Sequence, residues 1–230
     1  MSQKAVVICS GGLDSTTLLY YVKLKRHLTP VVVSFNYGQA HQKELNCIKS
    51  LSKSLKLEHI IVDLSKFGRL LKSSLTQTSI QTPLTHYTHQ TQQITVVPFR
   101  NSWMLLIAAG IARSKDINLV FYGAHRNDQT VYADCRPIFV EQINKLLEVA
   151  DYQQVKVEAP FISLTKAQIV KLGYELGVDF RRTWSCYLGR RYPCLKCGTC
   201  QERIEAFEKN DLRDPLVGER RWKKILKKLK

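Results

Sequence analysis

Short apolar runs alternate with longer amphipathic segments along this chain, beginning with the apolar run at 5–9. Apolar runs of four to eight residues bounded by turns are typical of buried strands, and longer periodic segments are typical of helices. We predict strands at 5–9, 30–35, 58–63, 118–123 and 155–158. We predict helices at about 15–25, 43–55, 101–114, 137–150 and 165–176, the last capped by Thr165 or Ser163.

This alternation predicts an α/β fold, a Rossmann-like parallel five-stranded sheet with helices on both faces. A chain of 230 residues suits one main domain with a small appended lobe. We place the main domain at 1–180, a C-terminal lobe with a short helix from about Gln201 at 181–215, and a tail helix at 216–230. Ligands of such sheets bind at the carboxyl ends of the strands.

The run Ser10-Gly11-Gly12-Leu13-Asp14-Ser15 lies at the end of the first predicted strand, before a helix predicted to begin at Asp14 or Ser15. Adjacent glycines allow backbone N–H groups to approach a ligand closely, and a helix N-terminus attracts anions. We predict a phosphate site here. The alternative is an ordinary turn capped by Ser15. The spacing fits neither a Walker A loop nor a dinucleotide fingerprint.

Four of the seven cysteines lie close together, at Cys186, Cys194, Cys197 and Cys200. Four thiolates at these short spacings predict a structural Zn²⁺ site, which leaves no open position for catalysis. An iron–sulfur cluster is the alternative, because four cysteines can also hold one. The 181–215 lobe is therefore a predicted zinc-binding lobe. We see no secretion signal and no membrane-length apolar run, so we expect a cytoplasmic protein.

Basic residues outnumber acidic ones by 35 to 19, a net charge of +16. Such a balance favours anionic substrates or polyanionic partners. The alternative is a solvated basic surface that has no specific partner. Trp222, Ile225, Leu226 and Leu229 form an apolar stripe on the basic tail. We expect this stripe to pack on the domain or across a dimer, and contact with nucleic acid or a membrane is the alternative.

The polar segment at about 65–93 shows no sustained period and contains His86 and His89. Irregular segments of this length are usually lids or binding loops, or are partly disordered. We assign the two histidines no metal.

The run at 10–15 resembles the phosphate loop of the N-type ATP pyrophosphatases. With the cysteine cluster, the chain resembles the 7-cyano-7-deazaguanine synthase family, which belongs to that superfamily. The blocks that carry this resemblance lie at 10–17, 35–41, 97–101, 132–136 and 184–187, with a weaker one at 164–169.

The resemblance implies an ATP-dependent ligase that converts 7-carboxy-7-deazaguanine and ammonia to the nitrile preQ0, through an activated carboxylate and an amide. It implies ATP with Mg²⁺ near Asp14, zinc, small-molecule partners and a homodimer. The implied catalytic residues are Asp14, Ser15, Arg100 and Lys166. The implied substrate-binding residues are Asn101, Tyr132, Asp134 and Arg136. The implied ATP-binding residues are Cys9, Ser10, Gly11, Gly12, Leu13, Asp14, Ser15, Thr16, Thr17, Leu18 and Leu19.

The chain departs from the family pattern at Asn36, at Phe99 and over 123–131, around the expected base pocket. A relative that stops at the amide or conjugates the deazaguanine is therefore an alternative. A tRNA-modifying sulfurtransferase is another, for which Cys135, in a polar loop, is the only plausible reactive thiol. A zinc-stabilised nucleic-acid-binding module without catalysis is the third.

Overall fold

The computed structural model describes residues 3–39, 41–77, 79–81, 83–84, 93–130 and 132–229. Five parallel strands form one sheet in the order β3-β2-β1-β4-β5. The strands are β1 (Lys4–Ile8), β2 (Thr29–Asn36), β3 (His59–Asp63), β4 (Leu119–Phe121) and β5 (Lys156–Glu158). The predicted parallel five-stranded sheet is confirmed, with strand ends that differ by up to two residues.

Helices connect the strands, as the alternating pattern predicts. They are α1 (Leu13–Leu24), α2 (Lys43–Ser54), α3 (Ser65–Gly68), α4 (Arg100–Arg113), α5 (Pro137–Ala150), α6 (Lys166–Glu175), α7 (Gly198–Glu208) and α8 (Glu219–Leu229). Thr165 caps α6 as predicted, in a capping box with Gln168.

Two predicted helix starts are wrong. The first helix begins at Leu13 with Gly12 as its N-cap, so neither Asp14 nor Ser15 opens it. The cysteine-rich segment leads into α7 at Gly198, three residues before the predicted start near Gln201.

The two faces of the sheet carry separate apolar cores, because successive strand residues point to opposite sides. Ala5 and Val7 of β1 join one core, while Val6 joins the other. The first core also holds residues of α1, α2 and α6, and the second holds residues of α4 and α5. The predicted placement of helices on both faces is confirmed.

The C-terminal helices pack on the first of these cores. Phe207 of α7 is buried, and its ring meets that of Phe180 edge to face at 5.2 Å. Trp222 is 7% exposed, and Ile225 and Leu226 pack against the same core. The expectation that the tail packs on the domain is thus confirmed, although the Leu229 side chain lies outside the described residues. The boundaries at 180 and 215 stay predictions.

The described part of the segment after β3 includes a short helix, α3, where the sequence predicts irregular chain. Further along, the Ser74 N–H donates to the Ile94 carbonyl at 2.9 Å. His86 and His89 lie outside the described residues. Throughout the described part of the chain, every helix is too short or too polar to cross a membrane.

Candidate active site

A cavity of about 280 Å³ opens at the carboxyl ends of the strands. Its wall includes Ile8 at the end of β1 and the Gly123–Ala124 turn after β4. These two strands are neighbours in the sheet, and the chain runs outward from them in opposite directions. Such a switch point is where ligands bind in doubly wound α/β sheets. The predicted phosphate loop lies in this wall.

The loop is shaped by Gly11, which has a φ of +92° and packs against the backbone of α2. A Cβ on Gly11 would overlap the carbonyl oxygen of Glu44. The Ser10 hydroxyl accepts from the Gly12 N–H at 3.1 Å and lies 3.3 Å from the Ser15 hydroxyl. No side chain of the described residues caps α1, so its first N–H groups are available to an anion.

Asp14 projects from the first turn of α1 into a cluster of charged groups. Its Oδ2 lies 3.6 Å from Lys166 Nζ and 3.7 Å from His125 Nε2. Burial opposes ionisation, but Lys166 and His125 hold the pKa of Asp14 well below its usual range. Asp14 Oδ1 is buried and has no hydrogen-bond partner among the described residues. One ionised carboxylate oxygen is therefore available to a cation.

Lys166, at the start of α6, is held between two carboxylates. Its Nζ donates to Glu202 Oε2 at 3.0 Å and lies 3.6 Å from Asp14 Oδ2. Burial opposes its charge, yet Asp14 and Glu202 raise the pKa of Lys166 well above its usual value. The ammonium group is thus fixed and charged beside the phosphate loop.

His125 lies beside Asp14 and is 1% exposed. Its Nε2 is 3.3 Å from Asp128 Oδ2. Burial lowers the pKa of His125, but the two carboxylates outweigh burial and raise it. The histidine therefore stabilises the ionised carboxylate of Asp14.

Arg100, Asn101 and Tyr132 form another part of the wall. The Arg100 guanidinium lies 6.0 Å from the centre of the Tyr132 ring. Burial opposes the charge of Arg100, but nearby Tyr37, Tyr132 and Asp134 raise its pKa further. The cavity therefore carries two fixed cations, Lys166 at the phosphate loop and Arg100 at the first turn of α4.

The remaining predicted substrate residues are not among those that line the cavity. Asp134 Oδ2 accepts from the backbone N–H of Asn101 at 3.1 Å, in the first turn of α4. Arg136 is exposed, and its Nε donates to the Gln129 carbonyl at 3.0 Å. Their roles in binding substrate stay predictions.

Only some of the predicted ATP-binding residues line the cavity. Cys9, Ser10, Gly12, Leu13, Asp14 and Ser15 line the cavity. Thr16 through Leu19 are buried in α1 below it. The Thr17 hydroxyl, for example, donates to the Leu13 carbonyl at 3.0 Å. These four side chains therefore anchor the loop from beneath.

The four clustered cysteines converge, with their sulfur atoms all within 4.8 Å of one another. The Cys194 sulfur accepts from the backbone N–H groups of Lys196 and Cys197, at 3.4 and 3.3 Å. Cys186, Cys197 and Cys200 are almost fully buried. Four converging sulfurs with N–H donors around them fit a tetrahedral thiolate metal site.

This cluster is joined to the cavity in two places. The Trp184 N–H, two residues before the first cysteine, donates to the Gly11 carbonyl at 3.0 Å. Cys200 lies on α7, two residues before Glu202, the partner of Lys166. A metal held by the cysteines would therefore fix both the phosphate loop and Lys166.

The thiols outside the cluster are poorly suited to nucleophilic chemistry. Cys135, which the sequence places in a polar loop as the only plausible reactive thiol, is only 4% exposed. Burial and the nearby carboxylates of Asp128 and Asp134 raise its pKa. Burial likewise raises the pKa of Cys9 to about 11. Both groups stay protonated at neutral pH.

Sequence reasoning missed several charged or titratable residues of the site. Glu44, Asp128 and Glu202 line the cavity, and His125 lies against Asp14 and Asp128 without lining it. Glu44 follows the block at 35–41 by three residues, and Glu202 follows the last clustered cysteine by two. For Glu44 and Glu202, closeness in sequence to these motifs was the signal that could have identified them as site residues.

The sequence family described as "Queuosine biosynthesis protein QueC" matches residues 4–211. The 7-cyano-7-deazaguanine synthase of Caldicellulosiruptor saccharolyticus is 47% identical over 93% of this chain and 94% of that protein. The enzyme of the same name from Psychromonas ingrahamii is 43% identical over 95% of this chain and 99% of that protein.

Solved structures add support for the fold. NMN synthetase from Francisella tularensis aligns with a TM-score of 0.51 at 12% identity, over 95% of this chain and 80% of that one. The U34-tRNA thiolase NcsA from Methanococcus maripaludis aligns with a TM-score of 0.50 at 14% identity, over 91% of this chain and 64% of that one. On the sequence matches, the chain belongs to the queuosine biosynthesis protein QueC family.

Proposed function

We propose that this protein is a 7-cyano-7-deazaguanine synthase, which forms the nitrile from 7-carboxy-7-deazaguanine, ammonia and ATP. Family membership carries the proposal, since relatives of that name match at 41–47% identity over nearly the whole chain. The cavity supports it, because one chamber combines an anion-binding loop with two fixed cations. An ATP-dependent reaction on an anionic substrate needs both features.

The two cations have different tasks in this proposal. The loop at 10–15 and Lys166 hold the phosphates of ATP, and Arg100 holds the substrate carboxylate. Adenylation of that carboxylate gives it a good leaving group, which ammonia displaces to form the amide. A second adenylation, at the amide oxygen, allows the oxygen to leave as the nitrile forms. Positioning and electrostatic stabilisation supply most of the acceleration.

Two metals fit the residues present. The available oxygen of Asp14 suits Mg²⁺, which binds carboxylates and substrate phosphates together and would offset their charge. The four converging sulfurs suit Zn²⁺ in a purely structural role. The predicted homodimer and cytoplasmic location stay predictions from the sequence.

Product analysis tests the function. The purified protein, incubated with 7-carboxy-7-deazaguanine, ATP, Mg²⁺ and ammonium, should yield 7-cyano-7-deazaguanine by mass spectrometry, with AMP and pyrophosphate. Accumulation of the amide without nitrile would instead show an enzyme that stops half-way. ATP consumption that needs tRNA and ceases in Cys135→Ser would favour the sulfurtransferase, which the burial of Cys135 opposes.

Metal removal should impair ATP binding as well as stability. Without a metal, the four thiolates lose their common partner, and Trp184 and Glu202 are no longer held against the phosphate loop and Lys166. We expect Cys197→Ser, which removes a predicted ligand, to lose about one equivalent of zinc and to weaken ATP binding about tenfold or more, a loss similar to that which follows from disturbing the contacts around a metal site.

Elemental analysis and calorimetric titration with ATP measure both effects. Cys47→Ser, outside the cluster, is the matched control and should keep its zinc. Normal ATP affinity in a zinc-free Cys197→Ser protein would contradict the link.

A further inference from the structure

Glu44 brings an unassigned carboxylate into the cavity. It lies in the first turn of α2 and is one of the residues of the cavity wall. The Ser10 hydroxyl donates to its carboxylate, and its backbone carbonyl packs on Gly11. A Cβ built on Gly12 would lie 3.7 Å from Glu44 Oε2. The carboxylate is therefore part of the wall directly beside the phosphate loop.

The surroundings leave Glu44 between its two protonation states at neutral pH. Burial is the largest influence and raises the pKa of Glu44 to about 7, against the opposing effects of Ser10 and Arg100. Glu44 also interacts electrostatically with five other titratable groups around it: Cys9, Asp14, Tyr37, Cys47 and Lys166. A general base is most effective when its pKa is near the working pH.

The other carboxylates of the cavity are engaged. Asp14 is paired with Lys166 and His125, and its depressed pKa makes it a weak base. Asp128 faces His125, and Glu202 accepts from Lys166. Glu44 accepts from a neutral hydroxyl, so a proton placed on it breaks no ion pair with these groups.

The proposed reaction, on which this inference rests, must release protons from nitrogen. When ammonia attacks the acyl adenylate, a C–N bond forms, the C–O bond to AMP breaks, and the nitrogen loses one proton. When the adenylated amide collapses, its C–O bond breaks, AMP leaves with the electron pair, and the nitrogen loses its remaining protons to give C≡N. Adenylation itself transfers no proton, so a base is needed only after it.

We propose that Glu44 is the general base that takes these protons from the substrate nitrogen in the cavity between the phosphate loop and Arg100. Its place beside the loop that holds the phosphates of ATP puts the base in the same cavity as the activated carboxylate. The proton then passes from the carboxyl group to solvent through the cavity mouth, which returns Glu44 to its carboxylate form for the next step.

Glu44→Gln tests the proposal, because the amide keeps an oxygen to accept from Ser10 but cannot take a proton. We expect nitrile formation to slow about 100-fold or more, the usual contribution of a positioned base. Carboxylate-dependent exchange of pyrophosphate into ATP, which reports adenylation alone, should stay within about threefold of the unaltered protein. The fall in kcat below about pH 7 should disappear.

Controls separate this role from a structural one. Glu141→Gln, which removes an exposed carboxylate on α5, should match the unaltered protein in both assays. Glu44→Asp is the variant to use if Glu44→Gln is unfolded. It should have a reduced kcat but should keep the fall in kcat below about pH 7, which is the acid limb of the pH profile. His41 is the other group to test, because it also borders the cavity and its buried Nδ1 has no hydrogen-bond partner among the described residues.

Three results would overturn the proposal. The first is nitrile formation by Glu44→Gln at the normal rate with the acid limb intact. The second is an equal loss of exchange and of nitrile, which would place Glu44 in ATP binding only. The third is loss of the acid limb in His41→Gln but not in Glu44→Gln. If the unaltered protein forms no nitrile at all, the proposed function fails, and the role of Glu44 fails with it.

Discussion

Replacing Asp14 with Asn is expected to lower kcat/KM for ATP about 100-fold or more, the loss typical when one electrostatic partner of a transition state is removed. The substitution keeps the size of the side chain but removes the charge that faces Lys166 and His125. It also removes the charge from a buried carboxylate oxygen that has no hydrogen-bond partner among the described residues and is available to a cation at the phosphate loop.

Steady-state kinetics with ATP and a titration with Mg²⁺ measure this effect. The fold should survive, because Lys166 keeps its bond to Glu202 and the sheet core does not involve Asp14. The zinc content should therefore be unchanged. Asp116→Asn is the matched control, since the Asp116 side chain is 92% exposed and remote from the cavity. Normal ATP turnover in Asp14→Asn would remove Asp14 from the catalytic role.

The C-terminal cysteine segment contributes to the active site as well as to stability. The backbone N–H of Trp184 donates to the Gly11 carbonyl, and Glu202 of α7 pairs with Lys166. Trp184, Ser185 and Tyr187 also border the cavity. A small domain that must hold two cations and several carboxylates in fixed positions benefits from a rigid support. A metal held by the four cysteines would give such rigidity to a segment whose helix has only three turns.

The sheet could be predicted from the sequence because β1, β2 and β4 are short, mainly apolar runs and each of the other two strands follows a helical segment. The loop at 10–15 could be located for a related reason, since the carboxyl end of a buried strand is where ligands bind. The predicted helix start at Asp14 or Ser15 is wrong by one or two residues, because the helix begins without a side-chain cap that a sequence pattern could reveal. The backbone of Gly12 takes the N-cap position instead, and the Ser15 hydroxyl interacts with Ser10.

The rest of the site depends on tertiary packing that local patterns do not reveal. Glu44 and Glu202 lie on amphipathic helices, where a carboxylate looks the same whether it faces water or a cavity. His125 is one polar residue in a turn, and only the arrangement of Asp14 and Asp128 around it makes it part of a charged cluster. Conversely, Asp134 occurs in a motif block, yet its carboxylate accepts from a backbone N–H in α4.

Arg203 is a buried cation that holds the C-terminal helices to the segment before the cysteines. Its guanidinium donates to both oxygens of Asp214 at 2.8 and 3.0 Å, and to the Thr183 hydroxyl and the Phe180 carbonyl. Arg203 and Asp214 are 3% and 2% exposed. Removing one member of such a pair leaves the other charge buried without compensation, which costs about 3–5 kcal/mol.

Asp214→Asn should therefore lower the free energy of unfolding by about 3–5 kcal/mol, and for a chain of this size the melting temperature by about 6–20 °C. Calorimetry on the zinc-loaded protein measures the shift. The exposed pair of Glu141 and Lys145 offers the control, and Glu141→Gln should cost no more than about 0.5 kcal/mol. The double variant Arg203→Leu/Asp214→Leu should be less destabilised than the sum of its single variants, because neither charge is left alone. Strict additivity would show that the two residues stabilise the fold independently, so that their bidentate bond is not what joins α7 to the chain that follows it.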